Sequence, residues 1–117
     1  MKYLIDTHIF LWFISGTQQL SETAKKLIEN NTHDIFISIA SLWEISIKTA
    51  LGKLYISNSY STVINDVIEN DIEILPINFV HTVIQNQLPF YHRDPFDRII
   101  ISQAISEKMD LIIRKIR

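Results

Sequence analysis

Four acidic residues stand where their carboxylates could act together. Asp6 follows the apolar run KYLI, and Glu44 lies inside the otherwise apolar stretch SLWEISI. Asp94 and Asp97 open the stretch DPFDRIIISQA, which has the character of a buried helix. Carboxylates held among apolar neighbours are costly, because burial disfavours charge and like charges repel. A divalent cation would relieve that cost, and oxygen ligands in a chain without Cys favour Mg²⁺ or Mn²⁺ over Zn²⁺.

Each of these acids also has a purely structural interpretation. Asp94 is well placed as the N-cap of the following helix, and Asp97 at the third helical position would interact with the helix dipole. Glu44 could pair on the surface with Lys48, four residues on. Asp6 could cap the helix that follows it. Both interpretations stay open for each residue, but four acids at strand and helix ends favour a metal site.

The elements that would carry these acids alternate between strand and helix. Short apolar runs predict strands at 2–6, 34–38, 73–77 and 110–113. Amphipathic periodicity, caps and stop residues predict helices at 7–16, 21–31, 39–54, 59–72, 78–88 and 94–109. This alternation predicts an α/β domain with a parallel sheet. Ligands of such sheets bind at the carboxyl ends of the strands, where Asp6 is expected.

Composition bounds the class of protein. The chain has 117 residues and is 47% hydrophobic, which predicts a single domain over 1–117 with a real core. The absence of Cys fits a reducing cytoplasm, and no apolar run predicts a membrane span or a signal peptide. The net charge of −2 differs from the excess of positive charge that is usual for a protein that only binds nucleic acid.

Other polar residues near the acids are weaker candidates. Ser38 ends the second predicted strand and could line the site, whereas Ser41 is interpreted as a helix cap. His8 and His92 are the histidines nearest the acids, and such residues are more often structural than ligands. The sequence has no glycine-rich phosphate loop, which excludes nucleotide hydrolysis of the P-loop kind. No nucleophile elbow or Ser-His-Asp order is visible.

Three motifs together resemble one family. YLIDTHIFLW, SIASLWEISIK and HRDPFDRIIISQA stand in the order and at the spacing of the PIN-domain toxins of the VapC type, and the resemblance runs from residue 1 to about 113. Each motif is short, but the combination is specific. The resemblance implies a PIN-like α/β domain with a short parallel sheet flanked by helices.

The same resemblance implies a function. It points to a Mg²⁺- or Mn²⁺-dependent endoribonuclease, the toxin of a toxin–antitoxin pair, that hydrolyses tRNA or other structured RNA without a protein nucleophile. It also implies a cognate antitoxin protein and a homodimer. The catalytic metal ligands carried over from the family are Asp6, Glu44 and Asp97, with Asp94, Thr7 and Ser38 as accessory residues.

Two arginines flank the proposed ligands. Arg93 and Arg98 lie closest to them in sequence and are candidate contacts for RNA phosphates. Arg98 could equally pair with Asp94 across one helical turn.

The end of the sequence departs from the family pattern. Relatives carry a Thr-x-Asp motif after the last strand, whereas Ile113 and Lys115 stand at those positions here. A truncated C-terminus is therefore expected, with a weakened metal site. The alternatives are a catalytically impaired homologue that binds antitoxin or RNA without cleaving, and an interaction module whose carboxylates are only caps.

Overall fold

The computed structural model describes residues 1–90 and 94–113. Within them, the strands are β1 (Lys2–Ile5), β2 (Asp34–Ser38), β3 (Ile72–Leu75) and β4 (Asp110–Ile112). The helices are α1 (Thr7–Ser15), α2 (Glu22–Glu29), α3 (Ile39–Ala50), α4 (Val63–Glu69), α5 (Phe79–Gln87) and α6 (Pro95–Glu107). A single 3₁₀ turn, Tyr60–Thr62, leads into α4.

The predicted α/β fold with a parallel sheet is confirmed, with small differences at the element ends. The third strand ends at Leu75 rather than at residue 77, because Pro76 has no N–H to donate to a neighbouring strand. The helix expected over 59–72 is shorter, since its first turn is 3₁₀ and α4 spans only Val63–Glu69.

All four strands are parallel and lie in the order β3-β2-β1-β4. The chain moves outward from β1 to β2 and β3, and then returns to place β4 on the other side of β1. The order therefore reverses between β1 and β4. In open parallel sheets, this reversal point creates a crevice at the carboxyl ends of the strands, where ligands bind.

Apolar side chains cover both faces of the sheet. Successive strand residues point to opposite faces, so Ile5 joins the larger core with α1, α2, α3 and α4, whereas Leu4 joins a smaller core with α6. Burial on both faces explains why β1 and β2 are continuous apolar runs rather than alternating ones. None of the described helices is long and apolar enough to cross a membrane.

Candidate functional site

The carboxyl ends of the two central strands bring Asp6 and Ser38 to one edge of the sheet. Ile5 is in register with Ile37, so the next residues, Asp6 and Ser38, lie level on neighbouring strands. The Asp6 N–H donates to the carbonyl oxygen of Ile112 in β4 at 3.0 Å. Asp6 is therefore held at the crevice between β1 and β4, as expected for a ligand-binding position.

The Asp6 carboxylate also begins α1. Its Oδ1 accepts from the Ile9 N–H at 2.8 Å, and its backbone is extended. The predicted capping role is confirmed. A cap uses lone pairs of one carboxylate oxygen and does not exclude a second role for the side chain, so the assignment of Asp6 as a metal ligand stays a prediction.

Glu44 is a buried carboxylate with a partner on each oxygen. The residue is 5% exposed. The Thr7 hydroxyl donates to Oε1 at 2.7 Å, and the Lys48 ammonium donates to Oε2 at 2.7 Å. The predicted partner Lys48 is correct, but only its own side of the pair lies on the surface, because the Glu44 side chain is enclosed.

Thr7 also contacts a serine of α3, and a second serine begins that helix. Thr7 Oγ1 lies 3.0 Å from Ser41 Oγ, and both residues are buried. The interpretation of Ser41 as a helix cap is wrong, because α3 begins one turn earlier. Ser38 is the cap: it is extended, fully buried, and its Oγ accepts from the Ala40 N–H at 3.0 Å.

Asp94 and Asp97 occupy different positions at the start of α6. Asp94 Oδ1 accepts from the N–H groups of Phe96 and Asp97, at 2.8 and 3.2 Å, so the predicted cap is confirmed. Asp97 is exposed on the first turn. The ring of Phe96 packs edge-on against Trp43, 5.5 Å between centroids, which places this turn beside α3.

Arg98 differs from its expected role at the surface. It is 5% exposed, and its guanidinium donates to the carbonyl oxygens of Gln85, Leu88 and Pro89 at 2.7 to 3.1 Å. It also lies over the ring of Phe90. These contacts satisfy carbonyl oxygens at the C-terminal end of α5. The N–H groups of the Arg98 guanidinium, whose planar geometry would also suit a phosphate, are therefore used inside the protein.

Three residues discussed from the sequence lie outside the described residues. They are Arg93, the other candidate phosphate contact, His92, and Lys115 at the departure from the family pattern.

The donor chemistry of the predicted ligands suits Mg²⁺ or Mn²⁺, since carboxylate oxygens are what these ions prefer. Across residues 1–90 and 94–113, however, no three acidic or His side chains lie together as a group that could hold a metal ion. A cation at Oε2 of Glu44 would stand beside the Lys48 ammonium, which repels it. The ligand set of Asp6, Glu44 and Asp97 stays a prediction.

A cleft of about 780 Å³ opens beside Glu44, between α1, α3 and the segment before α4. Lys48, Lys53, His8 and Trp12 line it together with Glu44. The His8 and Trp12 rings pack edge to face, with 6.3 Å between their centroids. No sequence pattern indicates the cleft or Lys53, because the residues that line the cleft come from separate segments with no shared spacing.

Comparison with known proteins agrees with this architecture. The family model of the PIN domain matches residues 3–115. The chain is similar to the VapBC2 complex from Rickettsia felis bound to a promoter DNA fragment, with 21% identity, a TM-score of 0.68, and coverage of 95% of this chain and 86% of that one.

Two further solved structures share the fold. A toxin–antitoxin complex from Klebsiella pneumoniae is 19% identical, with a TM-score of 0.66 and coverage of 97% of this chain and 86% of that one. FitAcB from Neisseria gonorrhoeae is 18% identical, with a TM-score of 0.59 and coverage of 93% of this chain and 84% of that one. No curated protein matches the chain.

Proposed function

The chain belongs to the PIN domain family, and on that premise we propose that it is a VapC-type toxin, a metal-dependent endoribonuclease that hydrolyses phosphodiester bonds in tRNA or another structured RNA. PIN domains are generally nucleases, so membership supports the reaction class. The substrate, the metal and the toxin role are the proposal.

One observation carries the proposal: Glu44 keeps a carboxylate, 5% exposed, behind the carboxyl edge of the sheet. Thr7, the first residue of α1, donates to it and fixes the position of Oε1. A buried charge is costly, and packing alone would favour an apolar residue of similar volume. The cost is understandable if the carboxylate binds a cation during the reaction.

The proposed roles rest on the family resemblance and on the chemistry of the carboxylate donors. Asp6, Glu44 and Asp97 would hold Mg²⁺ or Mn²⁺, and the bound ion would supply Lewis-acid charge at the phosphate and lower the pKa of a water for attack. Thr7 orients Glu44. Asp94 and Ser38 begin the helices that carry Asp97 and Glu44. Arg93 is a candidate phosphate contact.

The partners are proposed from the similar structures. The Rickettsia and Klebsiella structures are complexes of a toxin with its antitoxin. We therefore expect a cognate antitoxin that blocks the acidic site. The family resemblance adds the proposal of a homodimer, and the absence of Cys adds that of a cytoplasmic location.

A second candidate is a catalytically impaired homologue that binds antitoxin or RNA without cleaving. The observation that favours it is the Lys48 ammonium on Oε2 of Glu44, because a positive charge beside a proposed ligand oxygen lowers its affinity for a metal cation.

Cleavage of total tRNA tests the proposal. Purified protein free of antitoxin is incubated with Mn²⁺ and with EDTA, beside Asp6→Ala, and circular dichroism verifies that both proteins are folded. Metal-dependent cleavage that Asp6→Ala loses supports the nuclease. A folded wild-type protein that cleaves nothing at any Mn²⁺ concentration supports the impaired homologue instead.

A further inference from the structure

Lys48 and Glu44 form an ion pair whose two members are unequally enclosed. The Lys48 Nζ lies 2.7 Å from Oε2 of Glu44. The Glu44 side chain is 6% exposed, whereas the Lys48 side chain is 42% exposed. The anion is therefore fixed inside the protein, and the cation reaches it from the solvent side.

The pair answers an electrostatic need of the metal-free protein. A buried carboxylate requires a positive charge or several donors, and Thr7 supplies only one neutral hydrogen bond. Among the ion pairs of residues 1–90 and 94–113, Lys48 is the cation that contacts Glu44. Its ammonium stands at Oε2, the oxygen that Thr7 leaves open.

We propose that Lys48 is a built-in counter-ion of Glu44, which holds the position of the divalent cation in the metal-free protein and withdraws into the cleft when the cation binds. The inference rests on the proposed function, because it requires Glu44 to be a metal ligand. It makes Lys48 a positioning residue that sets metal affinity, rather than a catalytic one.

The surroundings of Lys48 make the exchange physically simple. Lys48 and Glu44 both line the cleft of about 780 Å³, so the ammonium has open space to enter. A lysine has a flexible four-carbon stem and a compact, strongly hydrated charge, and it can leave one partner without disturbing the helix. Glu44 cannot follow, because Thr7 holds its other oxygen.

Metal affinity tests the proposal directly. Lys48→Met keeps the length of the stem and removes the charge, so Mn²⁺ no longer has to break an ion pair to bind. We expect it to bind about tenfold more tightly in calorimetric titration, the order of effect for the attraction between two unit charges in contact near the protein surface. Lys48→Arg keeps the charge and is expected to bind Mn²⁺ as the wild type does. Lys53→Met is the matched control: Lys53 lines the same cleft without an ion pair in the described part of the chain, and affinity should change less than about twofold.

Lysine labelling reports the withdrawal itself. Acetylation with an amine-specific reagent, followed by peptide mass spectrometry, is measured with and without Mn²⁺. Lys48 should label faster when Mn²⁺ is present, with Lys53 unchanged. Equal Mn²⁺ affinity in Lys48→Met and wild type, or a Lys48 labelling rate that Mn²⁺ does not alter, would overturn the proposal.

Two further variants separate this proposal from the proposed function. If Asp6→Asn and Glu44→Gln weaken Mn²⁺ binding but Lys48→Met does not strengthen it, the metal site stands and the role of Lys48 is wrong. If neither the wild type nor Lys48→Met binds Mn²⁺, the metal-dependent function is wrong, and the counter-ion role falls with it. If Lys48→Met binds Mn²⁺ and the wild type does not, Lys48 lowers the metal affinity of the wild type below detection, which supports the counter-ion role.

Discussion

The Thr7 hydroxyl donates to Oε1 of Glu44 across 2.7 Å, although the two residues are 37 positions apart in the chain. The contact joins the first residue of α1 to the middle of α3. It fixes the buried carboxylate relative to Asp6, the residue before Thr7. The geometry of the proposed site therefore depends on how α1 and α3 pack over the sheet.

Removal of the Thr7 hydroxyl should destabilise the protein. Thr7→Val keeps the shape of the side chain but leaves Oε1 of Glu44 without this donor, so we expect a loss of about 1–3 kcal/mol in the free energy of unfolding. Urea denaturation measures it. Thr23→Val, on the exposed surface of α2, is the control and should change little. Equal stability of the two variants would show that the Thr7–Glu44 contact contributes nothing.

Substitutions of the two aspartates at the start of α6 should have different effects, on stability for Asp94 and on RNA cleavage for Asp97. Asp94→Ala removes the cap and should lower the free energy of unfolding by about 1 kcal/mol, while Asp94→Asn caps equally well and should keep both stability and RNA cleavage. Asp97→Asn should stay folded and lose RNA cleavage by about a hundredfold or more, if Asp97 is a metal ligand. Denaturation and cleavage assays on all three variants decide it. Loss of RNA cleavage in Asp94→Asn would instead assign the metal-ligand role to Asp94.

Arg98 should matter for stability rather than for RNA. Arg98→Met leaves the carbonyls of Gln85, Leu88 and Pro89 without its donors, and we expect a loss of about 2–4 kcal/mol. Lys25→Met, exposed on α2, controls for loss of one positive charge. The phosphate-contact hypothesis makes the opposite prediction, namely unchanged stability and weaker RNA binding with a shallower salt dependence.

Lys108 offers a stabilising substitution. It ends α6 with φ 54° and ψ 48°, a left-handed conformation that costs an L-residue with a side chain about 1 kcal/mol. Lys108→Gly should therefore raise the free energy of unfolding by about 0.5–1 kcal/mol. Lys26→Gly, inside α2, should instead lower it by about 1 kcal/mol. A lower melting temperature for Lys108→Gly would contradict the prediction.

Most of the fold could be predicted because its signals are local. Asp94 with Pro95 marks the start of α6, and Gly16, with φ 67°, marks the end of α1. The apolar runs of β1 and β2 carry the signature of strands buried on both faces. The errors concern element ends and the cap of α3. Ser38 and Ser41 are both plausible caps by type, and the hydrogen bond from the Ala40 N–H to Ser38 Oγ shows which one caps α3.

The sequence by itself determined which residues could do chemistry and that Asp6 would stand at the carboxyl edge of a parallel sheet, because residue type, caps and strand periodicity are encoded over short distances. Only the tertiary structure decided what surrounds those residues. The burial of Glu44, its contact with Thr7, the Lys48 ammonium on its second oxygen, and the enclosure of Arg98 all depend on which helix faces pack together. The same i, i+4 spacing that describes an ordinary surface pair became, through that packing, an ion pair between an enclosed Glu44 carboxylate and a Lys48 ammonium on the solvent side.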